Sequence, residues 1–334
     1  MEAELDLGAL ALPYDSVCVV GMAKNVGKTT TLNKLVSVFN KEKIRLGLTS
    51  IGRDGESVDL VTATEKPRIF VRAGTIIATA VELLNLCDIT KEILDVTDIN
   101  TSMGRACIVR ALSDGFVQLG GPSMTAQIAD IIAQMRALGA EKIIVDGAVD
   151  RRTLADPAVT NAAVLCAGAS MRLDLDTVVK ETAHVAGMLA LPKAEDPGAL
   201  AAFARAAPGE KIERVSESIF CAHGALSDGL VEGFVMSGSM PEGALIVAQD
   251  PSKIFIKAAT YEKLLLKKAR LAVANPINLI AITVNPVSAY GGGFDGDEFL
   301  RRMRLAVKVP VFDLKAALKK EGECLSYTAR SATR

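Results

Sequence analysis

The chain has 334 residues, 50% hydrophobic and 23% charged, which is enough for one large or two ordinary α/β domains with a substantial core. A net charge of −1 and an aromatic content of 4% argue against a nucleic-acid partner, because basic and stacking surfaces are both lacking. We expect neither a leader peptide nor a membrane span, since no apolar run approaches about 18 residues. Six scattered cysteines without a CxxC pair favour a reducing, cytoplasmic location.

The first informative segment is residues 16–31, SVCVVGMAKNVGKTTT. Its apolar start predicts a buried strand that ends in glycine, and a tight loop then leads into a helix. The inner face of that helix is predicted to be Leu32, Leu35, Val36 and Phe39.

A strand, a tight loop and a helix that opens with Gly-Lys-Thr are typical of a phosphate-binding loop, in which backbone N–H groups and the helix N-terminus attract the anion. In that interpretation Lys28 reaches the β- and γ-phosphates and Thr29 ligates Mg²⁺. One detail departs from the usual spacing, because the first glycine is Gly21 and the usual position holds Met22. The residues predicted to surround the phosphates are Gly21, Lys24, Asn25, Val26, Gly27, Lys28, Thr29 and Thr30.

The rest of the first half alternates between strand and helix patterns, which favours βαβ units and a largely parallel sheet. We predict helices over 74–86 and 125–138 and a strand pair over 92–98 and 105–112. Further strands are predicted at 44–49, 68–71, 116–119, 142–145 and 162–166.

The second half resumes this alternation after a proline- and alanine-rich connection, 191–211, that carries one helix. Strands are predicted at 233–236, 244–248 and 279–284, and helices at 252–260, 261–273 and 298–307. The predicted fold is therefore α/β, a mostly parallel sheet flanked by helices, with a C-terminal α/β half. We divide the chain into a nucleotide-binding domain, 1–195, and a C-terminal region, 196–334, which is either a second domain or a continuation of the same sheet.

Polar residues follow several predicted strands, and in open parallel sheets such residues converge on one edge. Asp146 ends a buried strand and is a candidate partner for Mg²⁺, with a strand-terminating aspartate as the alternative. Asp54 is a second candidate metal-binding or catalytic carboxylate, with an Asp-Gly turn as the alternative. Arg151 is a candidate phosphate ligand, although it is equally compatible with a solvated or ion-paired side chain.

For two further turns and one loop, the sequence allows both a functional and a purely structural interpretation. Gly121 and Ser123 precede a helix and form either an anion site or a capping turn, and residues 168–170 are a weaker case. The glycine-rich loop after Asn285 is either a lid or a surface loop. We interpret Cys221, His223 and His184 as structural, because two ligands do not make a zinc site.

The spacing of Gly21, Val26, Gly27, Lys28 and Thr29 resembles the SIMIBI class of P-loop NTPases, and in particular dethiobiotin synthetase and the cobyrinic and cobyric acid synthases. The Gly-Arg-Asp loop at 52–54 and the strand end at 144–148 look like matching loops of the cobyrinate enzymes, with Asp146 in place of glutamate. The resemblance implies that Lys28 contacts the phosphates and that Thr29, Asp54 and Asp146 surround Mg²⁺, so we expect Lys28, Asp54 and Asp146 to serve catalysis. ATP is favoured over GTP because the sequence has no N/TKxD guanine-reading motif. No glutaminase half is recognised after about residue 195, and the signature lysine of the MinD-type loop is replaced by Ala23.

The segments GMAKNVGKTTT, TSIGRDGE and IVDGA are more closely similar to the P-loop reactivase subunits encoded beside lysine 5,6-aminomutase. It implies an ATPase that acts on a partner enzyme, an adenosylcobalamin-dependent aminomutase. Many proteins of the class dimerise across the nucleotide face, so a homodimer is one expectation and the oligomeric state stays open.

The sequence therefore favours a Mg²⁺-dependent ATPase whose hydrolysis drives a change in a protein partner. The alternative is an enzyme that activates a small carboxylate or amine with ATP, and a third reading is a nucleotide-binding scaffold without hydrolysis.

Overall fold

The computed structural model describes residues 6–52, 68–147, 157–204, 209 and 211–313. Its strands are β1 Ser16–Gly21, β2 Leu46–Ser50, β3 Ile69–Val71, β4 Ile76–Ala80, β5 Lys91–Thr101, β6 Gly104–Ala111, β7 Gly115–Val117, β8 Lys142–Asp146, β9 Ala162–Gly168, β10 Lys211–Arg214, β11 Ile219–His223, β12 Leu226–Ser227, β13 Leu245–Ala248, β14 Ile254–Phe255, β15 Arg270–Val273, β16 Asn278–Asn285 and β17 Val311–Asp313.

The α-helices are α1 Leu7–Ala11, α2 Lys28–Lys41, α3 Thr125–Ala137, α4 Leu175–Leu189, α5 Pro197–Ala204, α6 Asp228–Met236, α7 Ala258–Leu266 and α8 Gly296–Ala306. Two 3₁₀ helices in the described part of the chain cover Val81–Leu86 and Pro251–Lys253. Within the described ranges, none of the helices combines the length and the apolar character needed to cross a bilayer.

The largest sheet has nine strands in the order β17-β16-β9-β1-β8-β2-β4-β6-β5. The strands from β17 to β4 run parallel, while β6 and β5 add an antiparallel edge. The predicted α/β fold with a mostly parallel sheet is thereby confirmed, as is the strand pair predicted over 92–98 and 105–112. Because β1 lies between β9 and β8, the loops that follow these three strands meet at one edge of the sheet.

Helices cover both faces of this sheet, and the alternating side chains of β1 serve both layers. Val17 and Val19 pack with α1 and α2, whose buried residues include the predicted Leu32, Leu35, Val36 and Phe39. Cys18 and Val20 pack on the opposite face with α3, α4 and α8. Every residue of β1 is buried, as expected for a central parallel strand with helices on both sides.

A second sheet of four strands, in the order β10-β11-β13-β15, lies within residues 211–273. Strands β11, β13 and β15 are parallel, and β10 pairs antiparallel with β11. Its apolar cluster includes Phe220, Ile246 and Leu264, and it also contains Met188 of α4 and Leu191. After it, β16 and β17 return to the nine-stranded sheet, so the chain enters that sheet twice.

The helix predicted over 74–86 is wrong. Residues Ile76–Ala80 form β4, and only Val81–Leu86 is helical, as a 3₁₀ helix. All five residues of β4 are buried, because the strand lies between β2 and β6 with both faces covered. A strand of that kind is a continuous apolar run, and periodicity alone does not separate it from a buried helix.

The strand predicted at 233–236 is also wrong, because these residues complete α6. That helix begins after Ser227, whose Oγ accepts a hydrogen bond from Leu230 N at 3.4 Å. The helices predicted over 252–273 are only partly correct. The helical part is α7, which ends where Lys268 adopts a left-handed φ of 55°, and Arg270–Val273 is β15.

Gly121 provides a test of the contact between the end of β2 and the start of the α3 segment. A Cβ at residue 121 would lie 1.8 Å from the Ser50 carbonyl oxygen, so Gly121→Ala must push these backbones apart. We expect the free energy of unfolding to fall by about 2 kcal/mol or more. Gly187→Ala is the matched control, because Gly187 lies within α4 and its added Cβ would meet nothing within 4 Å beyond the adjacent residues and backbone of that helix.

Chemical denaturation measures the free energy of unfolding of both variants and of the wild type. The control is expected to gain about 0.5–1 kcal/mol from the better helix propensity of alanine. Equal stability of the Gly121 variant and the wild type would contradict the close approach of the two backbones.

Candidate functional site

The loop between β1 and α2, residues 22–27, contains two left-handed residues. Asn25 has a φ of 59° and Gly27 a φ of 97°. Gly27 is the N-cap of α2 and supplies no side-chain cap, so the first N–H groups of the helix are not capped by a side chain at that position. Along this loop Val26 is buried and Lys24 is exposed, while Thr29 and Thr30 in the first turn of α2 are half-buried.

The Lys28 side chain folds back over the end of β1. A Cβ added to Gly21 would lie 2.8 Å from Lys28 Nζ and 2.7 Å from its Cδ, so only glycine leaves room for the lysine here. Lys28 Nζ donates a hydrogen bond to the Ala23 carbonyl at 3.3 Å, and the residue is only 8% exposed. The ammonium group is thus held against the loop backbone. Lysine side chains are rarely buried to this extent in proteins unless they have a polar partner.

Asp146 ends β8, where the sheet register sets it beside Val19 of β1 and Ser50 of β2. Backbone hydrogen bonds fix the turn after it, from Gly147 N to the Val19 carbonyl at 2.9 Å and from Ile51 N to the Asp146 carbonyl at 3.1 Å. The predicted carboxylate therefore lies on the neighbouring strand, at the same edge as the loop.

Cys166 of β9 lies beside Gly21 of β1, and the charged groups at this edge shift the pKa of its thiol. Burial raises the pKa of Cys166, whereas hydrogen bonds with Thr283 and Thr31 and the charge of Lys28 lower it. The charge of Asp146 raises this pKa further. Lys28 and Asp146 thus both act electrostatically on the same buried atom.

A buried hydroxyl cluster beneath the loop was not predicted from the sequence. Thr31 Oγ1 donates to the Gly27 carbonyl at 3.1 Å and lies 2.9 Å from Thr283 Oγ1 and 3.3 Å from Cys166 Sγ. This cluster joins the first turn of α2 to β16 and β9. A small pocket adjoins it, lined by Val26, Gly27, Thr30, Thr31, Thr283, Val284 and Asn285.

Two more residues support the loop from the ends of other strands. The Asn25 carbonyl accepts hydrogen bonds from Ser170 Oγ and from Asn285 Nδ2, each at 3.3 Å. Ser170 Oγ in turn accepts from Ala289 N at 3.0 Å, which ties in the glycine-rich loop after β16. That loop closes on itself where Val287 bridges Gly293. The only sequence signal for Ser170 and Asn285 was their position after a strand.

Gly121 is part of the same edge, while Ser123 is further out. Gly121 N donates to the Gly52 carbonyl at 3.0 Å, and Gly52 N donates to the Pro122 carbonyl at 2.8 Å. Ser123 is exposed and does not cap α3, because the N-cap is Met124 and no side chain bonds there. Asp54 and Arg151 lie outside the described residues.

Two other features of the described residues do not join this site. One pocket of about 470 Å³ is lined by uncharged residues around Tyr14 and Asn278, where β16 begins. It lies near the amino end of a parallel strand, whereas the loop lies at the carboxyl end. His223 Nε2 pairs with Glu213 at 2.8 Å and His184 Nε2 with the Ile256 carbonyl at 2.8 Å, and the described chain holds no group of three or more metal-binding side chains.

Comparison of the chain with protein-family models, with curated proteins and with solved structures found no match.

The Asn25 carbonyl allows a double-mutant test of the loop anchor. Asn285→Ala and Ser170→Ala each remove one donor, and we expect each to cost about 1 kcal/mol of unfolding free energy. The double variant leaves that carbonyl without either donor, so its loss should exceed the sum of the two single losses. Amide hydrogen exchange of residues 22–27 should speed up in parallel. Additive losses with unchanged exchange in the loop would contradict a shared anchor.

Proposed function

We propose that this chain binds Mg²⁺–ATP at the loop 22–27 and hydrolyses it. The observation that carries the proposal is the Lys28 side chain, which is held against Gly21 and the Ala23 carbonyl at the N-terminus of α2. A fixed ammonium group, a loop with two left-handed residues and the start of a 14-residue helix together form a suitable environment for a triphosphate.

The residues at this edge also suit Mg²⁺. The hydroxyl of Thr29 stands in the first turn of α2 and the carboxylate of Asp146 ends the neighbouring strand, and oxygen atoms of these two kinds are the ligands that Mg²⁺ prefers. We propose that Thr29 and Asp146, together with Asp54, hold the ion. The bound ion would neutralise negative charge on the phosphate oxygens.

In this proposal the protein groups bind and orient the nucleotide. The N–H groups of Gly27 and Lys28 face the phosphates, and the Lys28 ammonium balances charge on the terminal phosphates. The Thr31 cluster and the Asn25 anchor hold these donors in place, so little reorganisation is needed when the nucleotide binds. Asp54 and Arg151 are proposed to complete the site as a carboxylate and a phosphate ligand.

ATP is proposed rather than GTP. Two Asn-Lys pairs follow the loop in α2, Asn33-Lys34 and Asn40-Lys41, and neither has the aspartate of a guanine-reading motif two residues later. Asn33 also lies within α2, where its Nδ2 donates to the Arg68 carbonyl at 3.0 Å. A side chain engaged in this way is poorly suited to reading a base.

We propose that hydrolysis serves a partner enzyme, as in the reactivase subunits that the motifs resemble, and that the partner is a cobalamin-dependent aminomutase. The four-stranded sheet of residues 211–273 supports this role, because it is an α/β unit that supplies none of the residues at the loop. A unit of this kind is suited to contact with another protein.

A second candidate function is ATP-dependent activation of a small carboxylate or amine. It is favoured by the backbone at Gly121 and Pro122, which closes around the end of β2 beside Asp146 and leaves Ser123 exposed nearby. Hydrolysis assays on the purified chain separate the two functions. Slow hydrolysis that a co-purifying protein accelerates supports the accessory ATPase, and hydrolysis that depends on one small molecule alone supports the activating enzyme.

Lys28→Ala tests the nucleotide site directly. We expect loss of at least about 100-fold in ATP affinity, because the variant removes the buried ammonium group that lies against the loop while the fold is retained. Lys267→Ala, at the end of α7, removes the same charge from an exposed position and should leave the affinity unchanged. Calorimetric titration measures both, and equal affinity of Lys28→Ala and the wild type would refute the assignment.

Asp146→Asn tests the metal. Removal of this carboxylate should weaken binding of Mg²⁺–ATP about ten-fold or more, while binding of ATP in the presence of a chelator changes little. Titrations with and without Mg²⁺ distinguish the two states. Equal weakening in both would mean that Asp146 supports the loop and not the ion.

A further inference from the structure

The glycine-rich loop 286–294 follows β16 and closes on itself. Phe294 N donates a hydrogen bond to the Pro286 carbonyl at 2.8 Å, and Val287 forms a bridge with Gly293. A Cβ added to Gly293 would lie 2.3 Å from the Pro286 carbonyl oxygen, so this closure requires glycine at that position. The loop is therefore a compact unit, and displacement of one of its sides moves the other.

The two side chains that hold the Asn25 carbonyl also hold the glycine-rich loop. Ser170 Oγ donates to the Asn25 carbonyl at 3.3 Å and accepts from Ala289 N at 3.0 Å. Asn285 Nδ2 donates to the same carbonyl at 3.3 Å, while its Oδ1 accepts from Val287 N at 3.3 Å. Each side chain therefore joins the loop after β1 to a backbone amide of the glycine-rich loop.

The direction of the Asn25 carbonyl sets the direction of the next amide. The peptide between Asn25 and Val26 is trans, and in a planar trans peptide the C=O and N–H bonds point to opposite sides. Because Ser170 and Asn285 hold the carbonyl on their side, the Val26 N–H is directed away from them. Within the described part of the chain this N–H makes no hydrogen bond, so an anion in the loop would supply its missing partner.

The segments after β1, β9 and β16 also pack directly against one another. Gly168 ends β9, and a Cβ there would lie 2.9 Å from the Asn285 carbonyl oxygen and 3.2 Å from Val26 Cα. Ala169 N donates to the Asn285 carbonyl at 2.9 Å, which joins the backbones after β9 and β16. A displacement of Asn285 is therefore transmitted to the loop after β1 by contact as well as by its hydrogen bond.

We propose that the glycine-rich loop and the loop after β1 are conformationally coupled, with Ser170 and Asn285 as the positioning residues that connect them. The part of this proposal that concerns ATP rests on the proposed function. An anion bonded to the Val26 N–H favours the carbonyl direction that Ser170 and Asn285 require, so bound ATP stabilises the closed glycine-rich loop.

The coupling acts in both directions, because the effect of one site on another is reciprocal at equilibrium. Opening of the glycine-rich loop therefore weakens ATP binding. Val287 and Tyr290 are exposed on this loop, so the surface that changes with the nucleotide lies at its outer side.

Hydrogen–deuterium exchange of the full chain without nucleotide tests the coupling itself. Gly293→Ala displaces Pro286 and Val287, and we expect amide exchange in residues 22–27 to become about five-fold faster or more. Gly238→Ala should leave that exchange unchanged. It is the matched control, because Gly238 also has a left-handed φ, 72°, and its added Cβ would meet nothing within 4 Å beyond its two neighbours in the chain. Circular dichroism checks that both variants fold.

Addition of Mg²⁺–ATP tests the opposite direction. The chain contains no tryptophan, so Tyr290→Trp places a single fluorophore on the glycine-rich loop. We expect ATP to shift its emission with the midpoint that calorimetry gives, and to slow amide exchange in residues 286–294 of the wild type about five-fold or more. Phe255→Trp, at an exposed position on β14, is the control whose emission should stay unchanged.

Variants of Ser170 test the connection. Ser170→Ala should reduce the slowing of exchange by ATP in residues 286–294, whereas Ser170→Thr, which keeps the hydroxyl, should retain it. Equal slowing in Ser170→Ala and the wild type would contradict the role of Ser170.

The outcomes separate this proposal from the proposed function. If calorimetry finds no ATP binding, the nucleotide site is refuted, and the exchange of Gly293→Ala still decides whether the two loops are coupled. Unchanged exchange in residues 22–27 of Gly293→Ala, or ATP that binds without slowing exchange in residues 286–294, would each overturn the coupling.

Discussion

The Asn25 carbonyl connects the loop after β1 to two distant parts of the chain. Ser170 follows β9 and Asn285 ends β16, and both donate hydrogen bonds to this one oxygen. Asn25 itself is left-handed, a conformation that costs free energy for a residue other than glycine and persists when the surroundings favour it. The conformation of the loop, and through it the position of Lys28, therefore depends on the correct assembly of β1, β9 and β16.

The position of Lys28 shows how steric space and charge act together. Gly21 leaves the space that the lysine side chain occupies, and the Ala23 carbonyl accepts a hydrogen bond from its ammonium group. Burial of an ammonium group is unfavourable unless polar or negatively charged groups compensate it. A phosphate would add strong compensating hydrogen bonds, which is the physical basis on which the proposed nucleotide site rests.

Much of the fold could be predicted because its strongest signals are local. The continuous apolar run of β1 and the helical spacing of Leu32, Leu35, Val36 and Phe39 identified the strand and helix that flank the loop. The secondary-structure predictions were wrong where the structure depends on neighbouring elements and not on the local sequence pattern. Ile76–Ala80 became a strand because β2 and β6 bury it from both sides, and residues 233–236 became helical because Ser227 starts a helix upstream.

The candidate site was predictable in part for the same reason. Lys28 begins the helix that follows β1 and Asp146 ends β8, and the sheet order places β1 beside β8. The anchors of the loop were not predictable, because their hydrogen bonds join residues 145 and 260 positions apart in the chain. Only the packed sheet defines which of the many serine and asparagine side chains can reach Asn25.

The central claim is that this edge of the sheet holds a nucleoside triphosphate. Isothermal titration calorimetry of the full chain with ATP in the presence of Mg²⁺ tests it most directly. The account predicts saturable binding of one ATP per chain, with a dissociation constant in the micromolar range or below, at about −8 kcal/mol or stronger. The absence of binding at millimolar ATP, in a protein shown to be folded, would contradict it.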